Sequence, residues 1–512
     1  MRATGGVGLA QLPLQVGMFI LIVLIFGACL SIINFRPVVK PVLMFLFVMT
    51  AAASYFMDQY GTAIDWSMIQ NVVQTDAREG MELFTWKMII TVALLGLAPA
   101  LALAHTKIVY PPLGQHLLQM GASILGALIL ATVLLLLLYK GLAPTLREHR
   151  ELRFLLTPSN YIQAVNGYFK HKRSAPVVVS PLGTDASKGA LWAGNTRRTV
   201  TVLIVGETAR AMSFSLNGYS RETNPLLSKQ AGLVNFTNVQ SCGTATAVSV
   251  PCVFSALGRH QYSDTKAQSQ EGLLDVFKHA DFDVRWLDNN SGCKGVCDRV
   301  HYEDLSHPEP ADPLCTSEEC YDEKLLRDLP QMIKSATQNL VLVLHQKGSH
   351  GPSYWKRYPK EFAKFGPACT TNELANCSAE SITAAYDNTI LYTDFIISKA
   401  IAILERSNAD DGVDTALLYF SDHGESLGEK NMYLHGAPYL ISPPEQRQVP
   451  LMLWLSESYR SRFQIDARCL AARTHQEFSH DNVFHSALGM LGINTAVYNP
   501  KLDIVGACKN AH

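Results

Sequence analysis

Residues 418–425 read LYFSDHGE, an apolar run that ends in an aspartate, a histidine, a glycine and a glutamate. The apolar half predicts a strand buried on both faces, and the polar half predicts the turn at which that strand ends. Apolar or β-branched runs of this kind occur at 199–205, 284–287, 340–344, 416–420 and 450–455. Helical patterns separate them at 273–279, 321–335, 382–406 and 482–491. This alternation predicts an α/β domain with a doubly wound, largely parallel central sheet over 197–512.

Three other segments carry polar residues just after a predicted strand or at the start of a predicted helix. They read LIVGETAR at 203–210, SCGTATA at 241–247 and LHQKGSHGP at 344–352. In open parallel sheets ligands bind at the carboxyl ends of the strands, so side chains from distant parts of the sequence can meet there. The sequence therefore predicts one site assembled from four segments.

Glu207, Asp422 and His423 would supply two carboxylates and one imidazole, which is an acceptable ligand set for zinc. Three protein ligands leave a position open, and Thr246, at the start of a predicted helix, could place its hydroxyl there. Zinc would lower the pKa of that hydroxyl, and the helix N-terminus would favour both the alkoxide and an incoming phosphate. Each residue alone also has an ordinary explanation, since an Asp-His pair is usually a turn and a threonine at a helix start is usually a cap.

The first 139 residues have a different character. Four uncharged apolar stretches cover 16–33, 41–57, 88–104 and 117–139. Each has roughly the 17–25 residues that a helix needs to cross a membrane. The whole chain is 48% hydrophobic and only 17% charged. We therefore predict four membrane spans; core helices of a soluble protein are the alternative, and a signal peptide is disfavoured because the first stretch has no basic front and no clear cleavage site.

A mixed segment at 140–173 follows the last span. Apolar and aromatic residues alternate there with Arg147, Arg150, Arg153, Lys170, Lys172 and Arg173. That composition suits a segment lying along anionic headgroups, and an ordinary solvated linker helix explains it equally well. We predict a transmembrane domain at 1–139, an interface segment and linker at 140–196, and a catalytic domain at 197–512. The net charge of −1 argues against a nucleic-acid partner, which would need a basic face.

Ten of the eleven cysteines follow residue 240, and only Cys29 lies in an apolar stretch. An even set confined to the soluble part indicates disulfides and an oxidising compartment. Pairing by proximity gives Cys242–Cys252, Cys293–Cys297, Cys315–Cys320, Cys369–Cys377 and Cys469–Cys508. A zinc–cysteine site is the alternative, although paired C-x-x-C spacings are missing.

The oxidising compartment sets the topology. If the α/β domain lies outside the cytoplasm, four spans place the N-terminus outside as well. The loops that hold Arg36, Lys40 and Lys107 are then cytoplasmic, as the positive-inside rule expects. The basic segment after Tyr139 runs against that rule, which is weak ahead of a long translocated domain.

The sequences GETAR, CGTAT, KGSHGP and SDHGES, in this order, resemble those of bacterial phosphoethanolamine transferases that act on lipid A, a group that includes the mobile colistin-resistance enzymes. The resemblance runs from about residue 16 to the C-terminus. It implies a membrane domain followed by a periplasmic catalytic domain of the alkaline phosphatase/sulfatase-like superfamily. It also implies that Thr246 is the nucleophile and that Glu207, Thr246, Asp422 and His423 surround a zinc ion.

Further positions follow from the same resemblance. Lys294, in NSGCKGVC at 290–297, matches a lysine that contacts phosphoethanolamine, with Ser291 beside it. His350 and His435 match two histidines that line the site and contact the substrate. Either histidine could protonate the departing diacylglycerol oxygen or hold a second zinc. An exposed lysine and satisfied surface histidines are the alternative interpretations.

The loop between the second and third spans adds Asn71, Thr75 and Glu79, spaced four apart on one predicted helical face. They resemble family residues that contact the ethanolamine end of the donor, and solvated helix-face residues are the alternative. Family members usually have five membrane helices, and the first stretch here resembles the second of these. Either the start is truncated or assigned too late, or the protein begins outside the membrane.

The resemblance implies transfer of phosphoethanolamine from phosphatidylethanolamine to a lipid A phosphate through a phosphoethanolamine-threonine intermediate. Diacylglycerol would be released, and susceptibility to polymyxins such as colistin would fall. We expect a monomeric, zinc-dependent, multi-pass enzyme of the bacterial inner membrane with its catalytic domain in the periplasm. A core heptose or another glycan stays open as the acceptor.

Other functions also stay open at this point. They are a membrane glycerol-phosphate transferase, a sulfatase and a catalytically inactive membrane sensor. A sulfatase needs a nucleophile in a C/S-x-P-x-R setting, which residues 252–254 do not provide. The presence of all four zinc-centre residues argues against an inactive sensor.

Overall fold

The computed structural model describes residues 12–75, 77–148, 152–173, 178–309 and 311–509. The chain folds as two compact units. The first consists of Met1–Gln59 and Thr85–Gln163, and the second of Tyr60–Phe84 and Ala164–His512. Residues 60–84, which separate two apolar helices in the sequence, therefore fold with the α/β part. The functional division at 139/140 and 196/197 stays a prediction.

Within the described residues, four helices are long and apolar enough to cross a membrane. They are Leu12–Ile32, Val39–Tyr60, Trp86–His105 and Leu113–Tyr139. The third contains a π-helical turn, Ala93–Leu97, and the fourth continues as helix to Glu148. Each predicted stretch falls on one of these helices, so the four predicted apolar helices of membrane-spanning length are confirmed.

The surfaces of these helices are apolar. Phe19 is 68% exposed, and Leu118 and Leu137 are each 75% exposed. An apolar surface of this extent is unfavourable in water and favourable in lipid, so the helices anchor the protein in a membrane. The first and fourth helices pack against each other. Gly17 permits this close approach, because a Cβ at that position would lie 2.4 Å from Leu138 Cδ1.

Short helices follow the second and fourth spans. They are Trp66–Gln74, Ala77–Glu82, Leu152–Leu155 and Ser159–Arg173. The helical face predicted through Asn71, Thr75 and Glu79 is interrupted, because Thr75 caps the first helix with extended backbone at φ −69° and ψ 134°. The Thr75 hydroxyl donates to Asn71 O at 2.7 Å, so Thr75 still contacts the last turn of the helix that it caps.

The basic segment at 140–173 is described only in part. Its helix Ser159–Arg173 contains Lys170. The side chains of Arg147, Arg150, Arg153, Lys172 and Arg173 lie outside the described residues. Their contact with lipid headgroups therefore stays a prediction.

A seven-stranded sheet forms the centre of the second unit. In chain order its strands are β1 Thr199–Gly206, β2 Val234–Phe236, β3 Asp283–Asp288, β4 His301–Asp304, β5 Leu340–His345, β6 Asp414–Ser421 and β7 Leu451–Leu455. Their spatial order is β2-β7-β6-β1-β5-β3-β4. All neighbouring pairs are parallel except those of β7, which is antiparallel to both β6 and β2. The predicted largely parallel α/β sheet is confirmed.

Helices connect the strands of this sheet and cover its faces. They are Thr246–Val253, Gly258–Gln261, Asp264–Gln268, Leu273–His279, Leu329–Ser335, Ala379–Asp410, Pro444–Arg447, Glu457–Phe463, Ala467–Ala472 and Asp481–Met490. The helix predicted at 321–335 is divided into a 3-10 turn, Asp322–Leu326, and the helix Leu329–Ser335. Pro330 explains the division, because proline is tolerated in the first turn of a helix but not in its interior.

Short two-stranded pairings lie outside the main sheet. Ser187–Lys188 pairs with Ile493–Asn494, and Ser426–Leu427 pairs with Tyr433–Leu434, both antiparallel. Val239–Gln240 pairs in parallel with Phe478–Ser479. This last pairing joins the segment before helix Thr246–Val253 to a distant part of the chain.

Two hydrophobic clusters cover the two faces of the sheet. Leu203 and Val205 of β1 belong to one cluster, while Val202 and Ile204 belong to the other. Successive side chains of a strand point to opposite faces, so both faces of β1 are buried. This explains why the central strands read as unbroken apolar runs.

All five predicted disulfides are present. They are Cys242–Cys252, Cys293–Cys297, Cys315–Cys320, Cys369–Cys377 and Cys469–Cys508. Cys29 is free, as its exclusion from the five predicted pairs implies, and it is exposed. The zinc–cysteine alternative is wrong for these ten residues, because their sulfur atoms are bonded to one another.

The length of the closed loop predicts which disulfide stabilises the fold most. Cys469–Cys508 spans 39 positions and Cys293–Cys297 only 4. Loop-closure entropy predicts that the double alanine variant of the first pair lowers the free energy of unfolding by about 4 kcal/mol, and that of the second by about 2 kcal/mol. Urea unfolding of the detergent-solubilised chain under non-reducing conditions measures both.

Non-reducing peptide mapping of the wild type is the control for these variants. It should show five links and an alkylatable Cys29. Equal losses of stability in the two double variants would contradict the entropic explanation.

Candidate metal centre and nucleophile

The candidate site lies at the carboxyl ends of β1 and β6, which are adjacent and parallel. Gly206 of β1 is paired with Ser421 of β6, so the next residues, Glu207 and Asp422, leave the sheet side by side. Both side chains are buried, as is that of His423. Ligand atoms of these three residues all lie within 4.8 Å of one another. The predicted carboxylates and imidazole therefore form one cluster.

Thr246 completes this cluster from the start of helix Thr246–Val253, where it is only 6% exposed. Its hydroxyl Oγ1 donates to Glu207 Oε2 at 3.0 Å and lies 3.3 Å from His423 Nε2. No side chain caps this helix. The first backbone N–H groups have no partner within a helix, so the N-terminus adds positive potential next to the hydroxyl.

Asp422 Oδ2 and His423 Nε2 lie 3.3 Å apart, on the side of the cluster where Nε2 also lies 3.3 Å from Thr246 Oγ1. Asp422 Oδ1 accepts from the backbone N–H of Thr208 at 3.1 Å and of His423 at 2.7 Å. Asp422 Oδ2 is buried and has no hydrogen-bond partner among the described residues. His423 Nδ1 lies 2.9 Å from Gly424 O. Because a carbonyl only accepts, Nδ1 carries the proton in the neutral ring and Nε2 presents a lone pair.

Two carboxylates in one buried pocket have different pKa values. Burial raises the pKa of Glu207, but electrostatic interactions with His423, His350 and His435 outweigh burial and lower it. Burial and the adjacent Glu207 carboxylate raise the pKa of Asp422. A bound dication would favour the charged forms of both groups. The Oδ2 and Nε2 atoms and this charge distribution fit a divalent metal ion.

The backbone conformations of Thr208 and Gly348 constrain the position of Glu207. Thr208 has a positive φ of 59°, which is unusual for a β-branched residue, and its hydroxyl donates to Glu207 Oε1 at 2.5 Å. Gly348 has a φ of +55°, and a Cβ there would lie 2.5 Å from Glu207 O. Only glycine combines this conformation with so close an approach.

The two predicted site histidines lie next to the cluster. The ring centroid of His435 lies 4.4 Å from that of His423 and 5.1 Å from that of His350. His435 Nδ1 donates to Glu425 Oε2 at 2.9 Å, and the Tyr354 hydroxyl donates to Glu425 Oε1 at 2.6 Å. Glu425 therefore orients the His435 ring and leaves Nε2 available. Burial and the charge of His423 lower the pKa of His435, which makes its protonated form a better acid.

Lys294 and Ser291 lie together in the loop that follows β3. Lys294 Nζ donates to Ser291 O and to Ser291 Oγ, both at 2.9 Å, and to Gln74 O at 3.4 Å. Gln74 ends the helix Trp66–Gln74, which also packs against the nucleophile helix Thr246–Val253. The structure thus joins the predicted lysine and serine to the segment that holds Asn71.

Asn71 and Thr75 are half-buried at the end of that helix. The backbone N–H of Thr75 donates to Asn71 O at 2.8 Å. The side chain of Glu79 lies outside the described residues. The structure therefore places two of the three outer-loop residues beside each other, and contact of all three with a substrate stays a prediction.

Asp288, at the end of β3, positions the loop that follows, and the sequence interpretation missed it. Its Oδ1 accepts from the backbone N–H of Asn290 at 2.8 Å and of Gly292 at 3.2 Å. Its Oδ2 accepts from Trp286 Nε1 at 2.7 Å and lies 2.9 Å from His345 Nδ1. Burial opposes both charges, but their mutual attraction outweighs it, so the pKa of Asp288 is lowered and that of His345 is raised. This buried ion pair fixes the loop that carries Ser291 and Lys294.

Asn290 links the same loop to the metal cluster. Its Nδ2 donates to Glu207 Oε2 and to Gln346 O, each at 2.8 Å. The available signal was the polar run DNNS at 288–291 immediately after a strand. That signal marks a strand end but does not identify which side chain reaches Glu207.

His480 links the nucleophile loop to β6. Its Nδ1 accepts from the backbone N–H of Cys242 at 3.1 Å, and its Nε2 donates to Ser421 O at 3.0 Å. Burial lowers the pKa of His480 to about 3, so the ring is neutral and both bonds persist at neutral pH. The Ser249 hydroxyl adds a second link by donating to Asp422 O. No pattern in the sequence around His480 marks this role.

Two family matches cover most of the chain. Residues 22–173 match the family described as phosphoethanolamine transferase EptA/EptB. Residues 199–493, which contain the cluster around Thr246, match the family described as sulfatase. The apolar helices and the α/β part therefore each have a recognised counterpart.

Individual relatives extend over both parts. The chain is 43% identical to phosphoethanolamine transferase EptA of Escherichia coli (strain K12), over 94% of this chain and 87% of that protein. It is 40% identical to phosphatidylethanolamine transferase Mcr-1 of Escherichia coli, over 84% of this chain and 82% of that protein. The solved structure of the integral membrane protein lipooligosaccharide phosphoethanolamine transferase A (EptA) from Neisseria meningitidis matches with a TM-score of 0.93 and 36% identity, covering 98% of this chain and 94% of that one. The chain therefore belongs to the phosphoethanolamine transferase family, and its catalytic part belongs to the sulfatase family.

Proposed function

We propose that this phosphoethanolamine transferase moves its group from phosphatidylethanolamine to a phosphate of lipid A, by two displacements at Thr246. The observation that carries the proposal is the Thr246 hydroxyl, buried at a helix start, 3.0 Å from Glu207 and 3.3 Å from His423. The names of the relatives, a phosphatidylethanolamine transferase and a lipooligosaccharide phosphoethanolamine transferase, support this donor and this class of acceptor.

We propose zinc as the cofactor, held by Glu207, Thr246, Asp422 and His423. Two carboxylates, an imidazole and a hydroxyl are suitable zinc ligands. When bound, the ion supplies positive charge that lowers the pKa of the Thr246 hydroxyl and stabilises anionic phosphoryl oxygens. The free Asp422 Oδ2 and the lone pair on His423 Nε2 support this assignment.

In the first displacement, Thr246 Oγ1 attacks the phosphorus of phosphatidylethanolamine. The Oγ1–P bond forms while the bond from phosphorus to the glycerol oxygen breaks. The Thr246 proton is directed to Glu207, to which the hydroxyl already donates. His350 or His435 protonates the departing diacylglycerol oxygen, and the lowered pKa of His435 favours that proton transfer.

In the second displacement, a phosphate oxygen of lipid A attacks the same phosphorus. The Oγ1–P bond breaks, phosphoethanolamine is transferred, and the proton on Glu207 returns to Thr246 Oγ1. The proton of the attacking phosphate monoanion passes to the histidine that protonated diacylglycerol, which restores the starting state. The added amine offsets anionic charge on lipid A, so binding of cationic polymyxins such as colistin should fall.

Donor binding involves both parts of the second unit. The Lys294 ammonium and Ser291 hydroxyl would contact the phosphoryl group, since cations and hydroxyl donors stabilise its charge. Asn71, Thr75 and Glu79 would contact the ethanolamine end. The hydrogen bond from Lys294 Nζ to Gln74 O supports this grouping, because it joins the two sets of residues.

Each segment of the chain would have a different role. Residues 1–139 would hold the enzyme in the bacterial inner membrane, and residues 140–196 would lie at the membrane surface and lead into the catalytic domain. Residues 197–512 would act in the periplasm as a monomer. The five disulfides support an oxidising compartment for this part.

Mass spectrometry of lipid A from cells with and without this chain tests the proposed acceptor. We expect a gain that corresponds to one phosphoethanolamine group when the protein is present. A phosphoethanolamine group on the core oligosaccharide, with lipid A unmodified, would show that the proposed acceptor is wrong. It would not contradict the proposed donor chemistry.

The nucleophile assignment predicts a covalent adduct on Thr246. Enzyme trapped after reaction with phosphatidylethanolamine, without acceptor, should carry phosphoethanolamine on that side chain. Thr246→Ala should lower transfer by at least about a thousandfold, because no other oxygen replaces the lost nucleophile. Thr246→Ser should retain part of the activity, because its hydroxyl survives.

Peptide mapping by mass spectrometry locates the adduct. Thr383→Ala, on the outer side of the long helix Ala379–Asp410, is the matched control and should keep wild-type activity. An adduct on any other residue would contradict the assignment.

The proposed ligand set predicts a division between metal-binding and substrate-binding residues. Asp422→Ala and Glu207→Ala should lose zinc and activity together, since each removes one proposed zinc ligand and its negative charge. His350→Ala and His435→Ala should lose activity by about a hundredfold or more while tightly held zinc stays bound. Elemental analysis of dialysed, purified protein measures the metal, with Asp411→Ala as the matched surface control. Loss of the principal zinc in His350→Ala, to the extent seen in Asp422→Ala, would refute this division.

A further inference from the structure

We propose that a polar cavity beside the loop after β3 binds the phosphorylated sugar of the acceptor. The inference rests on the proposed function and deepens it by locating the second substrate. The cavity has a volume of about 850 Å³, which is in the range of sites that hold a ligand of disaccharide size. Its wall includes Asn289, Asn290, Tyr302, Ser317, Glu319 and Lys347.

The cavity adjoins the reacting atoms through Asn290. Asn290 lines the cavity, and its Nδ2 donates to Glu207 Oε2 at 2.8 Å. The same Glu207 oxygen accepts from the Thr246 hydroxyl at 3.0 Å. Two consecutive hydrogen bonds, from Asn290 to Glu207 and from Thr246 to Glu207, therefore connect the cavity wall to the proposed nucleophile.

Asn289 presents an acceptor atom that lacks a donor. It is buried, and its Nδ2 donates to Cys320 O at 3.0 Å and to Asp322 Oδ1 at 2.8 Å. Its Oδ1 has no hydrogen-bond partner among the described residues. A buried acceptor without a partner is unfavourable, so a ligand hydroxyl or N–H at this wall would be stabilised.

Lys347 presents a cation that is not paired. Its side chain is half-buried on the cavity wall, and within the described chain it makes no hydrogen bond or ion pair. Burial raises the pKa of Glu319, and the positive charges of Arg357 and Lys347 offset part of that rise. Lys347 therefore interacts electrostatically with Glu319 without forming an ion pair. An anionic group in the cavity would give Lys347 a partner.

Three of the four described carboxylates on the wall, Glu82, Glu318 and Glu319, are paired with cations. Glu82 lies 2.8 Å from Arg357, which also pairs with Glu319. Glu318 lies 2.6 Å from Lys356. Lys356 is thus paired, and of the two lysines on the described wall Lys347 is the one without an ion pair, while the Asp304 carboxylate is exposed on the same wall.

The chemistry of the wall therefore fits a neutral, hydroxyl-rich ring that carries an anionic group. A sugar hydroxyl or amide N–H would donate to Asn289 Oδ1, and a phosphate would pair with Lys347. Tyr302 is exposed on the wall and offers a ring face for the apolar side of a sugar. A phosphorylated glucosamine, as in lipid A, combines these groups.

The test measures how two substitutions change the two Michaelis constants of the full-length enzyme in detergent. Lys347→Met removes the ammonium and keeps the length of the side chain, and Ser317→Trp fills the cavity from an exposed position. We expect the ratio of KM for purified lipid A to KM for phosphatidylethanolamine to rise at least about tenfold in both. Lys364→Met and Ser461→Trp, at exposed positions away from the cavity, should keep the wild-type ratio.

Further measurements distinguish a misfolded variant, a wrong acceptor site and a wrong proposed function. Zinc content and thermal unfolding of each variant establish that it is folded. An unchanged KM ratio in both cavity variants, with an active wild type, would overturn the acceptor site alone. A wild type that forms no adduct on Thr246 would overturn the proposed function and the acceptor site with it. Glucosamine 1-phosphate should compete with lipid A more strongly than inorganic phosphate does, and equal competition would overturn recognition of the sugar.

Discussion

Two carboxylates, Glu207 and Asp422, leave adjacent parallel strands at the same register and are buried together, and the catalytic unit is arranged around that unfavourable placement. Backbone N–H groups bind one oxygen of Asp422, and the Thr208 and Thr246 hydroxyls donate to Glu207. The helix N-terminus at Thr246 and the histidines around the cluster add positive potential. A divalent cation would complete this balance, so the energetic need of the cluster and its proposed chemistry coincide.

The pairing of β1 with β6 places Glu207 and Asp422 side by side, and polar side chains fix the loops around them. His480 connects the nucleophile loop to β6, and Asp288 with His345 holds the loop after β3. Both contacts are fully buried, where unpaired polar groups are costly, so they specify one arrangement of the loops. A site whose parts come from four distant segments requires such connections, because loop ends are otherwise free to shift by more than catalysis tolerates.

Much of the fold and the centre of the site could be predicted from the sequence, since those features leave local patterns. Buried strands such as β1 read as apolar runs, and Glu207 and Asp422 follow such runs directly. The disulfides were predictable because most join near neighbours. The contacts of Glu425 with His435 and of Asp288 with His345 were not, because their geometry depends on tertiary packing and leaves no periodic signal. The helix break at Thr75 also depends on a single backbone conformation, which the four-residue spacing does not reveal.

In the proposed arrangement, the loop after β3 would take part in both half-reactions. Ser291 and Lys294 would contact the donor, and Asn289 and Asn290, together with Ser291, line the cavity proposed for the acceptor. Asp288 fixes the backbone between these two sets, through bonds to the N–H groups of Asn290 and Gly292. One rigid loop can therefore present donor and acceptor to the same phosphorus without a change of conformation. A rigid loop suits a double-displacement enzyme, because the same Thr246 oxygen must be approached in turn by a phosphodiester and by a phosphorylated sugar.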